Sequence, residues 1–136
     1  MTHPAASRIV VVAGRAALPE MTWCLETDEG MNAASPVVRV SRAGGTTPAP
    51  GLDDARLDID VFATGLDATE AAAAAVRSWL VDDLPGQIVT VAEGAAGTGQ
   101  ICAVRDVSSE RDAPTTNPAL RRLWLTARVV VQAVAT

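Results

Sequence analysis

The chain of 136 residues contains no lysine and no tyrosine, and it has only one histidine, one phenylalanine and two cysteines. The lone histidine, His3, cannot be joined to a Ser-His-Asp or Cys-His arrangement, so nucleophilic hydrolysis is not expected. Zinc sites need clusters of cysteine and histidine at ligand spacing, whereas Cys24 and Cys102 lie in separate apolar segments. We therefore expect no catalytic residue, no bound metal and no cofactor.

Long apolar runs are also missing. The first apolar segment is interrupted by Arg15, and no stretch approaches the roughly 20 residues that a membrane span requires. Two unpaired cysteines in apolar segments are typical of a reducing compartment. These features predict a cytosolic protein without a secretion signal and without membrane association.

The charge balance is acidic. Sixteen acidic residues outnumber 11 basic ones, all of them arginine, and the net charge is -5. An acidic surface repels phosphate, and aromatic residues make up only 3% of the chain, so the stacking platforms of single-strand binders are scarce. Specific nucleic-acid binding is not expected.

The strongest local signal predicts a helix over residues 67–84. Asp67 is in position to cap it, with Glu70 three residues later as the reciprocal capping residue, and Pro85 and Gly86 end it. Its apolar residues recur at helical spacing and form one face for packing on a sheet: Ala72, Val76, Trp79, Leu80 and Leu84.

Alternating segments predict the strands of an antiparallel sheet. Val38 and Val40 alternate with polar residues, and "ARLDIDV" does the same; "QIVTVA" and "GQICAVRDV" flank a turn, and "LRRLWLTARVVVQAV" forms a long closing strand. The segment "RIVVVAGRAAL" fits either a strand or a short helix, and we favour the helix. The fold predicted is a single α+β domain over residues 1–136, an antiparallel sheet with the main helix on one face and a short N-terminal helix.

Two connections are longer than hairpins need. Residues 43–55 and 108–118 are rich in Pro, Gly, Thr and charge, whereas ordinary hairpin loops have about two to five residues. Both are predicted to be extended loops, which either become ordered against a neighbouring subunit or stay mobile on the surface.

Several polar and aromatic residues allow two interpretations. Asp58 and Asp60, with the preceding Asp53 and Asp54, could gather a hard cation, although alternate acids on an exposed strand face need none. Asp82 and Asp83 lie where the helix dipole disfavours anions, and either solvent screens them or a cation pairs with them. Similarly, Trp79 and Trp124 either fill the core or anchor a subunit interface.

Residues 36–134 also resemble a known family. "PVVRVSRAGG", an acidic loop, "DDARLDIDVFATGLDATEAAAAAVRSWL" and "NPALRRLWLTARVVVQA" are similar, in element order, to the tail terminator (tail completion) proteins of long-tailed bacteriophages, particularly those of actinobacteria. The similarity consists of patterns of hydrophobicity, turn and charge. It contains no catalytic signature.

The resemblance implies a structural protein of the virion, assembled in the host cytoplasm and located at the head-proximal end of the tail. Identical subunits would form a ring, expected to be hexameric, that caps the tail tube, stops its polymerisation and offers a surface to the head-tail connector proteins. DNA would pass through the lumen without specific binding. No catalysis is implied.

On this hypothesis the segment from Arg42 to Asp54 projects as an arm toward a neighbour or the tube, and Arg121 and Arg122 pair with acids of an adjacent subunit. The candidate interface residues are Arg42, Gly44, Gly45, Asp53, Asp54, Asp82, Asp83, Arg121 and Arg122. Deleting Gly45 to Gly51 is expected to abolish ring formation or capping and to preserve the fold. The alternatives are a head-to-tail stopper or adaptor and, more remotely, a small carboxylate-based enzyme or ligand-binding module, which would need Asp58 or Asp60 buried in a closed pocket.

Overall fold

The computed structural model describes residues 4–26, 35–115 and 119–135. Within these ranges the chain forms two helices and seven strands. In chain order they are α1 (Ala6–Ala17), β1 (Thr22–Cys24), β2 (Val37–Ala49), β3 (Leu52–Ala63), α2 (Leu66–Asp82), β4 (Ile88–Val91), β5 (Gly97–Arg105), β6 (Arg111–Ala113) and β7 (Arg121–Val134). The predicted α+β class is confirmed, and so are the main helix and the short N-terminal helix.

The strands form one curled sheet in the order β1-β2-β3-β7-β5-β4, and β6 pairs with β7 beyond the end of β5. All the pairs are antiparallel except β1 with β2, which run parallel with Thr22 opposite Val37. The predicted antiparallel sheet is therefore confirmed for every pair except this one at the edge. Residues 25–36 connect the two strands, and a connection of about a dozen residues is long enough for the crossover that parallel pairing requires.

Alternation on the two central strands separates the faces of the sheet. Ile59 of β3 lies opposite Leu125 of β7, and both side chains are fully buried. Their neighbours Asp60 and Trp124 form the next cross-strand pair, and because successive residues of a strand point to opposite sides, this pair belongs to the other face. One face therefore builds the core, and the other carries polar and charged side chains.

Helix α2 packs on the core face of the sheet through Ala72, Ala73, Val76, Trp79 and Leu80. It begins one residue before the predicted start, and its N-cap is Gly65, without a side-chain cap. Capping by Asp67 and Glu70 was therefore a wrong prediction: Asp67 lies inside the first turn. Within the first turn, the Thr69 hydroxyl donates to the Gly65 carbonyl at 2.6 Å.

Helix α1 contacts β1 and β2 on one side and β4 on the other, so the two ends of the curled sheet approach the same helix. Trp23 of β1 lies flat on Gly14, where a Cβ atom would collide with the indole ring. The Trp23 ring meets Trp79 of α2 edge-on, at 5.2 Å between centroids. Trp79 is thus a core residue, 3% exposed, whereas Trp124 lies half-buried on the opposite face.

The predicted loop over residues 43–55 is a β-hairpin. Strands β2 and β3 continue to a turn at Pro50 and Gly51, with irregularities in register at residues 42–44 and 46–49. Gly45 permits this pairing, because a Cβ at its φ of 123° would collide with the carbonyl oxygen of Asp54. The second predicted loop, 108–118, is shortened by β6; its residues 116–118 lie outside the described ranges.

Candidate functional site: the hairpin arm and the open sheet face

We call residues 42–54 the hairpin arm. At its base, the Arg42 guanidinium forms two hydrogen bonds with the Asp53 carboxylate, Nη1 to Oδ2 at 2.7 Å and Nη2 to Oδ1 at 2.8 Å. Asp53 is 6% exposed. Donating these hydrogen bonds to Asp53 is the main cause of the raised pKa of Arg42. This bidentate pair joins β2 to β3 where the hairpin leaves the body of the domain.

A second ion pair holds the arm from the other face. Asp54 follows Asp53 in β3 and therefore points to the opposite side of the sheet. Its carboxylate accepts from Arg128 of β7, with Nη2 to Oδ2 at 2.6 Å and Nε to Oδ1 at 3.3 Å. Hydrogen bonding to Asp54 raises the pKa of Arg128, and Asp106 lies 3.7 Å from the same guanidinium. Contacts on both faces limit how far the arm can bend.

The arm has one covered edge and one open edge. Its β3 half pairs with β7 from Leu52 opposite Gln132 to Asp54 opposite Val130. Its β2 half pairs with β3 alone, because β1 covers only Val37 to Arg39 among the residues that the structure describes. Residues 45–50 are exposed. Pro48 and Pro50 have no N–H, so the backbone donors of this edge come from the residues up to Thr47. An open strand edge is a surface to which another chain can add a strand.

The face of the sheet opposite the core, which we call the open sheet face, is organised around Asp60. One carboxylate oxygen accepts from Arg39 of β2, with Nη2 at 2.8 Å, and the other accepts from Arg122 of β7, with Nε at 2.8 Å. Both guanidinium groups also lie near the Phe62 ring, 5.4 and 5.8 Å from its centroid. Asp60 is 1% exposed. This carboxylate is buried beneath two arginines rather than in a closed pocket, and both of its oxygens are engaged.

Arginines dominate the open sheet face. Cross-strand register places six of them there, with three aspartates: Arg39, Arg56, Arg105, Arg111, Arg122 and Arg128, and Asp54, Asp58 and Asp60. Arg56 of β3 lies directly opposite Arg128 of β7, and Arg105 of β5 lies opposite Arg128 on its other side. Arg111 stacks on Trp124 at 4.4 Å. The face is therefore basic, although the whole chain has a net charge of -5.

The predicted interface residues fall in three places. Arg42, Gly44, Gly45, Asp53 and Asp54 belong to the hairpin arm. Asp82 and Asp83 are exposed at the end of α2. The third place is the start of β7, where Arg121 and Arg122 have partners within the chain, Asp112 at 3.1 Å and Asp60 at 2.8 Å; their pairing with acids of an adjacent subunit stays a prediction.

Sequence reasoning missed Arg39, Arg56, Arg105 and Arg128. Alternation within each strand predicts that residues such as Arg56 and Asp58 share a face. The order of the strands was not available from that pattern, so the concentration of arginines from four strands could not be found.

The sequence also raised the questions of a metal site, of two cysteine thiols and of a membrane span. No group of three or more His, Cys, Asp or Glu side chains within the described ranges is arranged to hold a metal, and His3 lies outside those ranges. Cys24 is half-buried beside the carbonyl of Val38, and burial raises the pKa of its thiol against the opposing effects of Arg39 and Arg15. Cys102 is exposed. In the part of the chain that the structure covers, no helix is both long and apolar enough to cross a membrane.

No family model matches the chain, and no curated protein matches it. Among solved structures, a chain of the "Virion of native gene transfer agent (GTA) particle" is similar, with 19% sequence identity and a TM-score of 0.48 over 90% of this chain and 85% of that chain. A likeness this distant carries no argument about function.

Proposed function

We propose that the chain is a virion structural protein of a long-tailed phage, and specifically a tail terminator. In this role, copies of the chain form a ring, which we take to be hexameric, on the last layer of the tail tube. The ring stops tube growth and presents a surface to the head-tail connector proteins. The resemblance of residues 36–134 to tail terminator proteins motivates this proposal.

The hairpin arm is the observation that carries it. A protein that ends a polymer has to occupy the surface to which the next subunit would add, and a pre-ordered strand edge can do so through main-chain hydrogen bonds. The arm has such an edge, and the Arg42–Asp53 and Arg128–Asp54 pairs hold it in place. Since these pairs already order the arm in the free chain, less conformational entropy is lost when it binds.

The carboxylates support this assignment over an enzyme. Asp60, the acid most deeply buried on the open sheet face, is hydrogen-bonded through both oxygens to Arg39 and Arg122. A carboxylate that acts as a general acid or base needs an oxygen within hydrogen-bond reach of the substrate. Asp60 therefore has the environment of a structural ion pair.

The test adds purified protein to growing tubes of the tail tube protein from the same genome and measures tube lengths by negative-stain microscopy. The wild-type chain should shorten the tubes and appear at one end. Replacing Thr46→Lys and Thr47→Lys places two cations on the exposed part of the arm, where charge blocks strand addition. We expect this variant to lose at least about tenfold in capping and to retain its thermal stability.

A matched control carries Ala95→Lys and Ala96→Lys in the exposed turn between β4 and β5, and it should cap like the wild type. Equal capping by both lysine variants would reject the arm as the contact. Absence of any wild-type binding to tubes would overturn the terminator assignment. Binding to portal complexes in place of tubes would identify the chain as a stopper or adaptor.

A further inference from the structure

The open sheet face combines two properties that an isolated subunit does not need. By cross-strand register it carries six of the 11 basic residues and three of the 16 acidic ones, and Asp106 adds a fourth carboxylate beside Arg128. It also aligns three arginines directly across neighbouring strands, Arg56, Arg128 and Arg105. Like charges opposite one another destabilise a sheet. An anionic surface laid over this row would remove that cost.

Not all of the row is neutralised within the chain. Arg128 pairs with Asp54 at 2.6 Å and lies 3.7 Å from Asp106. Arg56 and Arg105 are exposed and have no ion-pair partner among the described residues. These two arginines are therefore available to bind an anionic partner.

The same chain carries a surface of opposite charge. The side of α2 that faces away from the sheet has acids near both ends and one cation, Arg77; its acids are Asp67, Glu70, Asp82 and Asp83. The residues between them are small and exposed, namely Ala71, Ala74 and Ser78. A helix surface of small residues lets another surface approach closely. Val81, 52% exposed, adds apolar area beside Asp82.

We propose that the open sheet face of one copy binds the exposed face of α2 in the next copy. The two surfaces lie on opposite sides of the sheet, because α2 packs on the core face through Val76 and Trp79. The contact is therefore head to tail and repeats from copy to copy, as rings built from identical subunits require. Closure into a ring rests on the proposed function, whereas the pairing of the two surfaces does not.

A nucleic acid is the other anionic ligand that such a face could bind. The net charge of -5 opposes it, since phosphate would be repelled by the remainder of the surface. In a ring through which DNA passes, an uncovered arginine face would also retain the DNA. Coverage by the α2 face of a neighbour avoids both problems.

The experiment exchanges charges between the two surfaces. The sheet variant carries Arg56→Glu and Arg105→Glu, and each new carboxylate lies opposite Arg128. The helix variant carries Asp82→Arg and Asp83→Arg, which place cations at a helix C-terminus where the dipole favours them. Neither variant should lower thermal stability, so a loss of association would not come from unfolding. A control carries Glu20→Arg and Glu93→Arg, which are exposed and lie off both surfaces.

Self-association is measured without tubes by sedimentation velocity at about 0.05 M and about 0.5 M salt, because screening shortens the range of charge interactions. The wild type and the control should associate at low salt and dissociate at high salt. Each exchanged variant alone should associate at least about tenfold more weakly. An equimolar mixture of the two should recover association, since every sheet face then meets an α2 face of opposite charge.

A mixture that fails to recover would overturn the pairing, and so would a wild type that stays monomeric at low salt. Tighter binding of duplex DNA by the wild type than by the sheet variant would assign the face to nucleic acid and also overturn it. Recovery in the mixture, together with a wild type that does not cap tubes, would keep the pairing and reject the terminator. If the wild type caps tubes but the exchanged variants associate as strongly as the wild type, the terminator assignment is kept and the pairing is rejected.

Discussion

Replacing Asp60→Asn should destabilise the domain far more than an ordinary surface substitution. The side chain of Asp60 is 2% exposed, and those of its partners Arg39 and Arg122 are 26% and 25% exposed. The amide preserves the shape of the carboxylate but removes the charge that neutralises both guanidinium groups. Breaking a buried charge pair costs about 3–5 kcal/mol, because the remaining charges are left uncompensated. We expect a loss in this range.

Asp58→Asn is the matched control. Asp58 lies two residues earlier on the same strand and face, opposite Ser41 and Thr126, and has no ion pair among the described residues. Its substitution should change the free energy of unfolding by less than about 0.5 kcal/mol, as is usual for surface positions. Urea unfolding followed by tryptophan fluorescence measures both values if the transition is two-state. Losses within about 0.5 kcal/mol of each other would refute the reasoning about Asp60.

Two further predictions concern the core and the thiols. The indole N–H of Trp23 donates to the Leu18 carbonyl at 3.2 Å, whereas that of Trp79 is buried without an acceptor among the described residues. Trp23→Phe should therefore lower the free energy of unfolding by about 1 kcal/mol more than Trp79→Phe does. A larger loss for Trp79→Phe in thermal unfolding would contradict the hydrogen-bond assignment. In native protein at mildly alkaline pH, iodoacetamide should modify the exposed Cys102 before Cys24, as followed by peptide mass spectrometry; equal rates would contradict the burial of Cys24. Burial raises the pKa of the Cys24 thiol in the folded chain. The stability that the neutral thiol contributes is therefore complete below the pKa of the unfolded state and is lost as pH rises through the pKa of the folded state. Cys24→Ala should remove this pH dependence of the free energy of unfolding.

Local patterns in the sequence were sufficient for most of the regular elements. The apolar spacing of α2 and the Pro85–Gly86 stop identified the helix, and alternation identified β3 and β7. These signals are strong because each element has to bury one face against the same core. The start of α2 was predicted incorrectly because Gly65 and Asp67 are both acceptable N-caps locally. In the structure the N-cap is Gly65, whose carbonyl accepts from the Thr69 hydroxyl.

Composition was misleading for the hairpin arm. Its Gly, Pro and Thr residues predicted a loop, since such residues pack poorly by themselves. The segment is ordered by partners that are distant in sequence: β3 along one edge, then β7 behind β3, and the Arg42–Asp53 and Arg128–Asp54 pairs on the two faces. Pairing between strands that are distant in sequence therefore outweighs the local loop propensity of these residues.

The open sheet face required the tertiary structure most of all. The sequence alone indicated that the aspartates of β3 alternate with apolar residues, and hence that they lie on one side of a strand. Only the strand order brings Arg39 from β2 and Arg122 from β7 to the two oxygens of Asp60, and aligns Arg56, Arg128 and Arg105. Alternation is a property of one strand and can be read locally, whereas the neighbours of a strand depend on how the whole chain buries its apolar surface.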